Sequence, residues 1–510
     1  MKKSDRLYDL IKSLTKNEKG YFKKFSNTYS TAKGDNNQYI LLFDAIDRQK
    51  EYDEASLIRK FSKGNDRFNF SSAKKFLYDR ILKSLELYHA GNIHAEIRSY
   101  LNQTQILIAK VLLADADKLL EKAEQLATKH EIDELMPDIL LKRLALWKIG
   151  KYTGITEAQI IQTIEKLEKY MLAIRHLAGV YQVQGRYTFD YTNKGVLADA
   201  ASLQAFGSFI EQYEQHPAAG SDSFPVRLAY LLLLHSMYMF GGRKEKAHET
   251  NLKLLELYDT NMHQLESRRN SYQHILARVV ESYTALRRFD QSKLYLDRLK
   301  QMVAESQDIS GADLWEGYLL LLEIMLLRRM RDFKALKVLA DEKSAIKYFE
   351  RFENRNYEIN IEIFIAHAYF YSGDYDRGLD VLNSILNNPR NNVRGDFYCY
   401  SKLLMLLIQW ELGNHNLLPY EAKSTRNYFD TKLSMLEADR LVIRFVEKHM
   451  DTDINARKLV PAFERLRADL DASFKQAPLS NRLADYIDIR AWIESKVRRV
   501  PITDLNRVEL

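Results

Sequence analysis

One cysteine, Cys399, stands among 510 residues, so the chain has no intrachain disulfide framework and no multi-cysteine zinc or iron-sulfur site. A reducing compartment fits that usage, and a cytoplasmic location is expected. Proline and glycine are also scarce, at 8 and 19 residues, against usual levels of about 5% and 7%. So few breakers imply long helices joined by short turns. Long apolar runs are missing. Leu228 to Phe240 extends 13 residues and contains His235, and Tyr318 to Leu327 is interrupted by Glu323, whereas a bilayer-spanning helix needs about 20. The opening Met1-Lys2-Lys3-Ser4-Asp5-Arg6 leads into a charged helix without an apolar core, so no secretory signal is expected.

Chemistry is equally hard to find. The 12 histidines are scattered, with no His-Glu-x-x-His pair for zinc. Gly241-Gly242-Arg243-Lys244 reads as a turn rather than a phosphate loop, and no Gly-x-Ser-x-Gly nucleophile elbow occurs. Asp451-Thr452-Asp453-Ile454-Asn455 opens with the spacing of a calcium loop, but Ala456 replaces the required glycine and Ala462 the bidentate glutamate. That stretch reads as the approach to a helix N-terminus. Cys399, between Tyr398 and Tyr400, reads as a small packed hydrophobe. No enzymatic activity, cofactor or metal is expected.

What is present begins with charge. Residues 1 to 90 carry 19 Lys/Arg against 12 Asp/Glu, which accounts for the whole formal charge of +7. Leu7, Leu10, Ile11 and Leu14 mark an amphipathic first helix, and Thr15 with Glu18 forms a capping box for a second one carrying Tyr21, Phe22 and Phe25. Further helices are expected near Ile40 to Ile46, over Glu54 to Phe61 and from Phe70 to about Tyr88. In the last of these, Phe76, Leu77, Ile81, Leu82 and Leu85 read as core. Lys19, Lys23 and Lys24, interleaved with aromatics, could neutralise a nucleic acid whose bases stack on those rings, and a short middle helix followed by one carrying Lys74, Lys75 and Arg80 has the layout of a helix-turn-helix reader. The same residues also describe an ordinary helical cap with its lysines in water.

From about residue 98 a unit recurs. Aligned on the turn before its second helix, it gives Leu113, Tyr152, Lys244, Phe289, Phe333, Tyr375 and His415, a period of about 40 to 45 with one degenerate unit near 181–222. Three residues on come Ala116, Ala247, Ser292, Leu336, Gly378 and Leu418, mostly small, where paired helices approach. Over Glu362 to Arg390 the run Ile365-Ala366, Tyr369, Gly373-Asp374-Tyr375, Gly378, Leu382, Ile385, Pro389 resembles one repeat of the tetratricopeptide (TPR) superfamily; the likeness is fair over Leu276 to Leu299 and loose elsewhere. The repeats exceed the usual 34 residues, Pro389 stands one position early, and Leu336 and Leu418 replace the small residue. The segment from Leu14 to Phe25 also resembles the opening of an uncharacterised bacterial family of helical-repeat proteins of similar length, which implies a fold and no activity.

The resemblance implies an all-α, TPR-like α-α superhelix: a basic helical cap (1–90), a repeat solenoid (91–427) and C-terminal capping helices (428–510). The capping helices are expected over Tyr428 to about Met450, Ile454 to about Lys475 and Asn481 to Val497, with Pro501 as a stop. It also implies a groove lined by the first helix of each pair, at Glu281 and Thr284; Met325, Arg328 and Arg329; His367, Phe370 and Tyr371; and Leu407, Trp410 and Glu411. Phe370, Leu407 and Trp410 also read as core between neighbouring helices, with Arg328-Arg329-Met330-Arg331 as a basic turn. The function expected is a non-catalytic scaffold that binds a protein or peptide partner without membrane insertion. The alternative is a nucleic-acid-associated regulator that uses the basic N-terminal residues.

Overall fold

The computed structural model describes residues 6–28, 35–62, 69–192, 200–305, 309–344, 355–387, 395–432, 435–476, 483 and 486–505. Among them every regular element is helical, with 23 α-helices and no strand. The chain divides into two units, 1–170 and 171–510.

In the first unit α1 (Arg6–Ser13), α2 (Lys16–Thr28), α3 (Asp35–Asp47), α4 (Glu54–Ser62) and α5 (Phe70–Tyr88) enclose a cluster built on Leu7, Ile11, Phe22, Phe43, Leu77 and Ile81. The capping box forms at α2: Glu18 N–H donates to Thr15 Oγ1 at 3.3 Å and Thr15 N–H to Glu18 Oε2 at 2.8 Å. Phe76 and Leu82, expected in the core, are 43% and 42% exposed. Phe76 instead lies on the Tyr39 ring, centroids 4.5 Å apart. A second cluster joins α6 (Ile93–Ala109), α7 (Leu113–Lys129), α8 (Met136–Ile149) and the start of α9 (Glu157–Tyr187) around Ile97, Ala116, Leu120 and Ile139.

The second unit takes in the remainder of α9, then α10 (Ala200–Glu214), α11 (Phe224–Phe240), α12 (Lys244–Asp259), α13 (Leu265–Ala285), α14 (Phe289–Ala304), α15 (Ile309–Met330), α16 (Phe333–Ser344), α17 (Arg355–Ser372), α18 (Tyr375–Leu386), α19 (Gly395–Glu411) and α20 (Leu418–Lys432). It ends with α21 (Glu437–His449), α22 (Val460–Gln476) and α23 (Ile489–Arg498). Sequential helices pack as pairs, α11 with α12, α13 with α14, α17 with α18 and α19 with α20; α13 also packs on α15, α15 on α17 and α17 on α19. The small position of the repeat is buried throughout, and a Cβ on Gly378 would stand 3.2 Å from Ile408 Cδ1.

Five of the seven repeat landmarks are the first residue of a helix: Leu113, Lys244, Phe289, Phe333 and Tyr375. Tyr152 and His415 lie in the turns just ahead of α9 and α20. A shared backbone device explains the regularity. Two residues before six landmarks the chain is left-handed, at Val111, Gly242, Arg287, Arg331, Gly373 and Gly413, with φ between 58° and 75°. The next N–H then reaches the carbonyl five residues back, as in Arg288 to Tyr283 at 2.9 Å and Asp374 to Tyr369 at 2.9 Å. This closes the preceding helix in a Schellman turn. A non-glycine residue in that conformation costs about 1 to 2 kcal/mol. Arg287→Gly is therefore expected to raise stability by about 0.5 to 1 kcal/mol after the extra chain entropy of glycine. A urea midpoint that falls would show that side-chain contacts of Arg287 outweigh the strain.

The helix expected over 428–450 is two helices. Asp439 accepts the Leu436 N–H at 3.0 Å and starts α21 afresh. The next expected helix begins later as well, at Val460 after a 3-10 turn over Arg457–Leu459. Likewise Asp488 caps α23 through the Ala491 N–H at 3.1 Å, so a helix opens at Ile489; of the expected residues ahead of it Leu483 and Tyr486 are helical, and 481–482 and 484–485 lie outside the described residues. The degenerate region holds the end of α9, a π turn over Thr188–Thr192, and α10; residues 193–199 lie outside the described residues. No described helix is long and apolar enough to cross a membrane.

Candidate functional site

The C-terminal ends of α15, α17 and α19 bring Arg328, Tyr371 and Glu411 to one region, and residues 486–496 of the same chain lie against them. Arg328, 3% exposed, donates to the Tyr486 carbonyl, and its guanidinium lies 5.7 Å from the Phe364 ring centroid. Arg331 grips Asp488 with both prongs of its fork, Nε to Oδ2 at 3.0 Å and Nη2 to Oδ1 at 3.1 Å. The Asp488 N–H donates to Tyr371 Oη at 2.5 Å. Tyr486 stacks on Tyr400 with centroids 4.3 Å apart and planes 11° apart, and meets the edge of Phe397 at 5.3 Å.

Further along, Glu411 accepts from Trp492 Nε1 at 2.6 Å and from Lys496 Nζ at 2.6 Å, both inside the fold. Lys496 also donates to Asn455 Oδ1 at 3.2 Å. A cavity of about 440 Å³ opens beside this pair, lined also by Tyr375, Asn455, Phe463 and Arg499. Burial, and then Glu411, push the Tyr375 hydroxyl well above its ordinary value.

The electrostatics follow from burial. His367 is lowered to about 3, first by desolvation and then by the Arg328 charge, with the Tyr486 backbone acting in the opposite sense. Tyr371 is raised by desolvation, against which Arg328 and Arg329 act. In the unfolded chain a histidine titrates near about 6.5. As pH falls below that value the unfolded state takes up a proton that folded His367 refuses. The site's contribution is therefore intact above pH 6.5 and is lost between about 6.5 and about 3. In urea unfolding at about pH 7.5 and about pH 5.5, His367→Gln is expected to lose less stability than the wild type, by about 1.4 kcal/mol for each unit below 6.5. Equal losses in the two chains would contradict the assignment.

The expected groove residues are now placed. Arg328, His367, Phe370, Tyr371 and Trp410 are buried, at 3% exposure or less. Residues 486–488 account for the first, second and fourth. Phe370 lies against Tyr371 and Tyr375, while Trp410 is enclosed by Phe445, Phe463 and Trp492. Met325 and Arg329 are half-buried on α15. Glu281, half-buried on α13, accepts from Tyr318 Oη at 3.0 Å; burial raises its carboxyl, and Tyr318 and Arg278 only partly offset this. Sequence reasoning placed Arg331 only in a basic turn and missed Tyr486, Asp488, Trp492 and Lys496. The one local signal was Asp488, a carboxylate placed to cap a helix.

The basic residues of the alternative reading are largely matched. Lys19 pairs with Asp47 at 2.9 Å, Lys23 with Asp44 at 2.7 Å and Lys74 with Glu54 at 3.4 Å. Arg80 lies over Phe25 at 5.1 Å and Phe76 at 5.9 Å, while Lys24 and Lys75 are exposed. The first unit also has a groove of about 750 Å³ between α7, α8 and α9, where Glu124 holds Arg143 and Lys166 beside Trp147. Burial would raise the Glu124 carboxyl, but Lys166 and Arg143 outweigh it and hold it low. Among the described residues, no group of three or more His, Cys, Asp or Glu side chains is placed to hold a metal ion. Comparison with protein-family models, with curated proteins and with solved structures finds no match to the chain.

Proposed function

We propose that the chain is a non-catalytic cytoplasmic adaptor, a TPR-like superhelix of helix pairs whose first helices hold a polypeptide segment of a partner protein. The observation that supports this reading is the way Arg328 and Tyr371 meet a peptide main chain, through the Tyr486 carbonyl and the Asp488 N–H. Such contacts give affinity without dictating sequence, and adjacent side-chain subsites then supply selectivity. Here the subsites are the Tyr400 face and the Arg331 fork.

Peptide-display selection on the immobilised full chain is expected to enrich acidic segments that contain an aromatic residue, with affinities in the range of about micromolar for a short linear motif. A library that yields no binder above background would remove the adaptor reading. Steeply salt-dependent binding of duplex DNA in the same preparation would move attention to Lys24, Lys75 and their neighbours, because phosphate contacts release counterions.

A further inference from the structure

We infer that Tyr486-Ile487-Asp488 is an internal stand-in for the partner, and that the partner competes for the same place with an aromatic-aliphatic-acidic tripeptide whose acid opens a helix. The inference rests on the adaptor reading and names the ligand of that same site. It follows from the kind of contact made. Apolar packing holds the segment as it would any core segment, with Ile487, Ile489 and Trp492 buried, and completing a core would call for no ion pair, since hydrophobic residues of similar volume often match or surpass a buried pair in stability. Yet two largely buried arginines converge on Tyr486 and Asp488, one on a carbonyl and one on a carboxylate.

Two of the four polar or stacking contacts, Arg328 to the Tyr486 carbonyl and Tyr371 from the Asp488 N–H, would be made by any chain of the same backbone path. The other two define a pattern: a ring stacked on Tyr400 and, two residues later, a carboxylate in the Arg331 fork. Between them Ile487 is fully buried, which asks for an aliphatic side chain. Asp488 also caps α23, so the recognised acid stands at a helix N-terminus.

A tethered occupant competes at an effective concentration in the range of about millimolar. A partner segment therefore binds the wild type with an apparent affinity reduced by the fraction of molecules whose place is vacant. Weakening the internal segment should remove that handicap.

The test uses the full chain, its Asp488→Ala variant and a fluorescein-labelled synthetic peptide spanning residues 483–505, read by anisotropy. Asp488→Ala is expected to bind the peptide about tenfold or more tightly than the wild type does, and a peptide carrying Asp488→Lys is expected not to bind. Should Asp488→Ala fail to keep wild-type helical content, full-length Tyr486→Ala carries the same expectation, since it removes the stack and leaves the Arg331 fork filled. The proposal is overturned if folded variant and wild type bind alike, if neither binds, or if the Asp488→Lys peptide binds as well as the native one. A display-selected peptide that binds wild type and variant equally, and is not displaced by the 483–505 peptide, overturns the stand-in while leaving the adaptor standing. A concentration-dependent wild-type dimer that Asp488→Ala abolishes overturns the partner in favour of a second copy of the chain.

Discussion

Trp410→Ala is expected to remove about 3 to 5 kcal/mol from the second unit. The indole is fully buried, with ring centroids 5.8 Å from Phe445 and 6.3 Å from both Phe463 and Trp492. Its deletion opens a hole among residues of α21, α22 and α23 that cannot close without moving three helices. It also takes the donor from the carbonyl of half-buried Thr452, which receives the indole N–H at 3.1 Å, a hydrogen bond that contributes about 0.5 to 1.5 kcal/mol net. Urea unfolding followed by far-UV circular dichroism would read the loss, since tryptophan fluorescence would mix Trp492 with Trp147 and Trp315. Trp410→Phe should keep most of the packing and forfeit mainly the hydrogen bond, so it should fall between the other two. A loss below about 1 kcal/mol for the alanine variant would mean that the cluster collapses around the hole.

Glu411→Ala should cost nearly as much, for a different reason. The Glu411 and Lys496 side chains are 2% and 11% exposed, and the carboxylate serves the Trp492 indole as well. Removing one partner of a buried pair costs about 3 to 5 kcal/mol, because the other charge stays behind. Asn455 gives Lys496 one remaining neutral acceptor. The double change Glu411→Leu with Lys496→Met removes both charges and should recover most of the loss. A double-mutant cycle therefore predicts strong non-additivity, with an interaction energy of about 2 to 3 kcal/mol. Additive losses in denaturant midpoints would mean that the two side chains contribute independently.

The repeating helix pairs were legible because their determinants are local. Leu113, Lys244, Phe289, Phe333 and Tyr375 each follow a turn whose backbone is closed within six residues, and the small side chains at Ala116, Ala247 and Gly378 sit one turn into the helix that follows. The candidate site was legible only in part. The run Arg328-Arg329-Met330-Arg331 stood out, yet whether it lined an open surface or a filled one depended on Tyr486 and Asp488, which no spacing rule connects to it. Trp410 and Phe370 carry the same ambiguity, since a helix facing a groove and a helix facing a neighbour show one apolar stripe. Phe76 and Leu82 fail differently: α5 is 19 residues long and apolar on more of its circumference than its neighbours cover.

Arg328 and Arg331 meet residues 158 and 157 positions further along the chain. Closing a loop of that length costs on the order of 4 to 5 kcal/mol in chain entropy if the intervening residues are still unfolded. Most of that cost disappears once the helices from α16 to α22 have assembled, so the clasp is expected to close late, after the transition state for folding has formed. Interactions absent from the transition state govern escape from the native state and leave the rate of entry almost untouched. The contacts of Tyr486 and Asp488 would then set how long the folded chain endures rather than how quickly it forms, and loosening them would shorten its lifetime under force or protease with little trace in refolding.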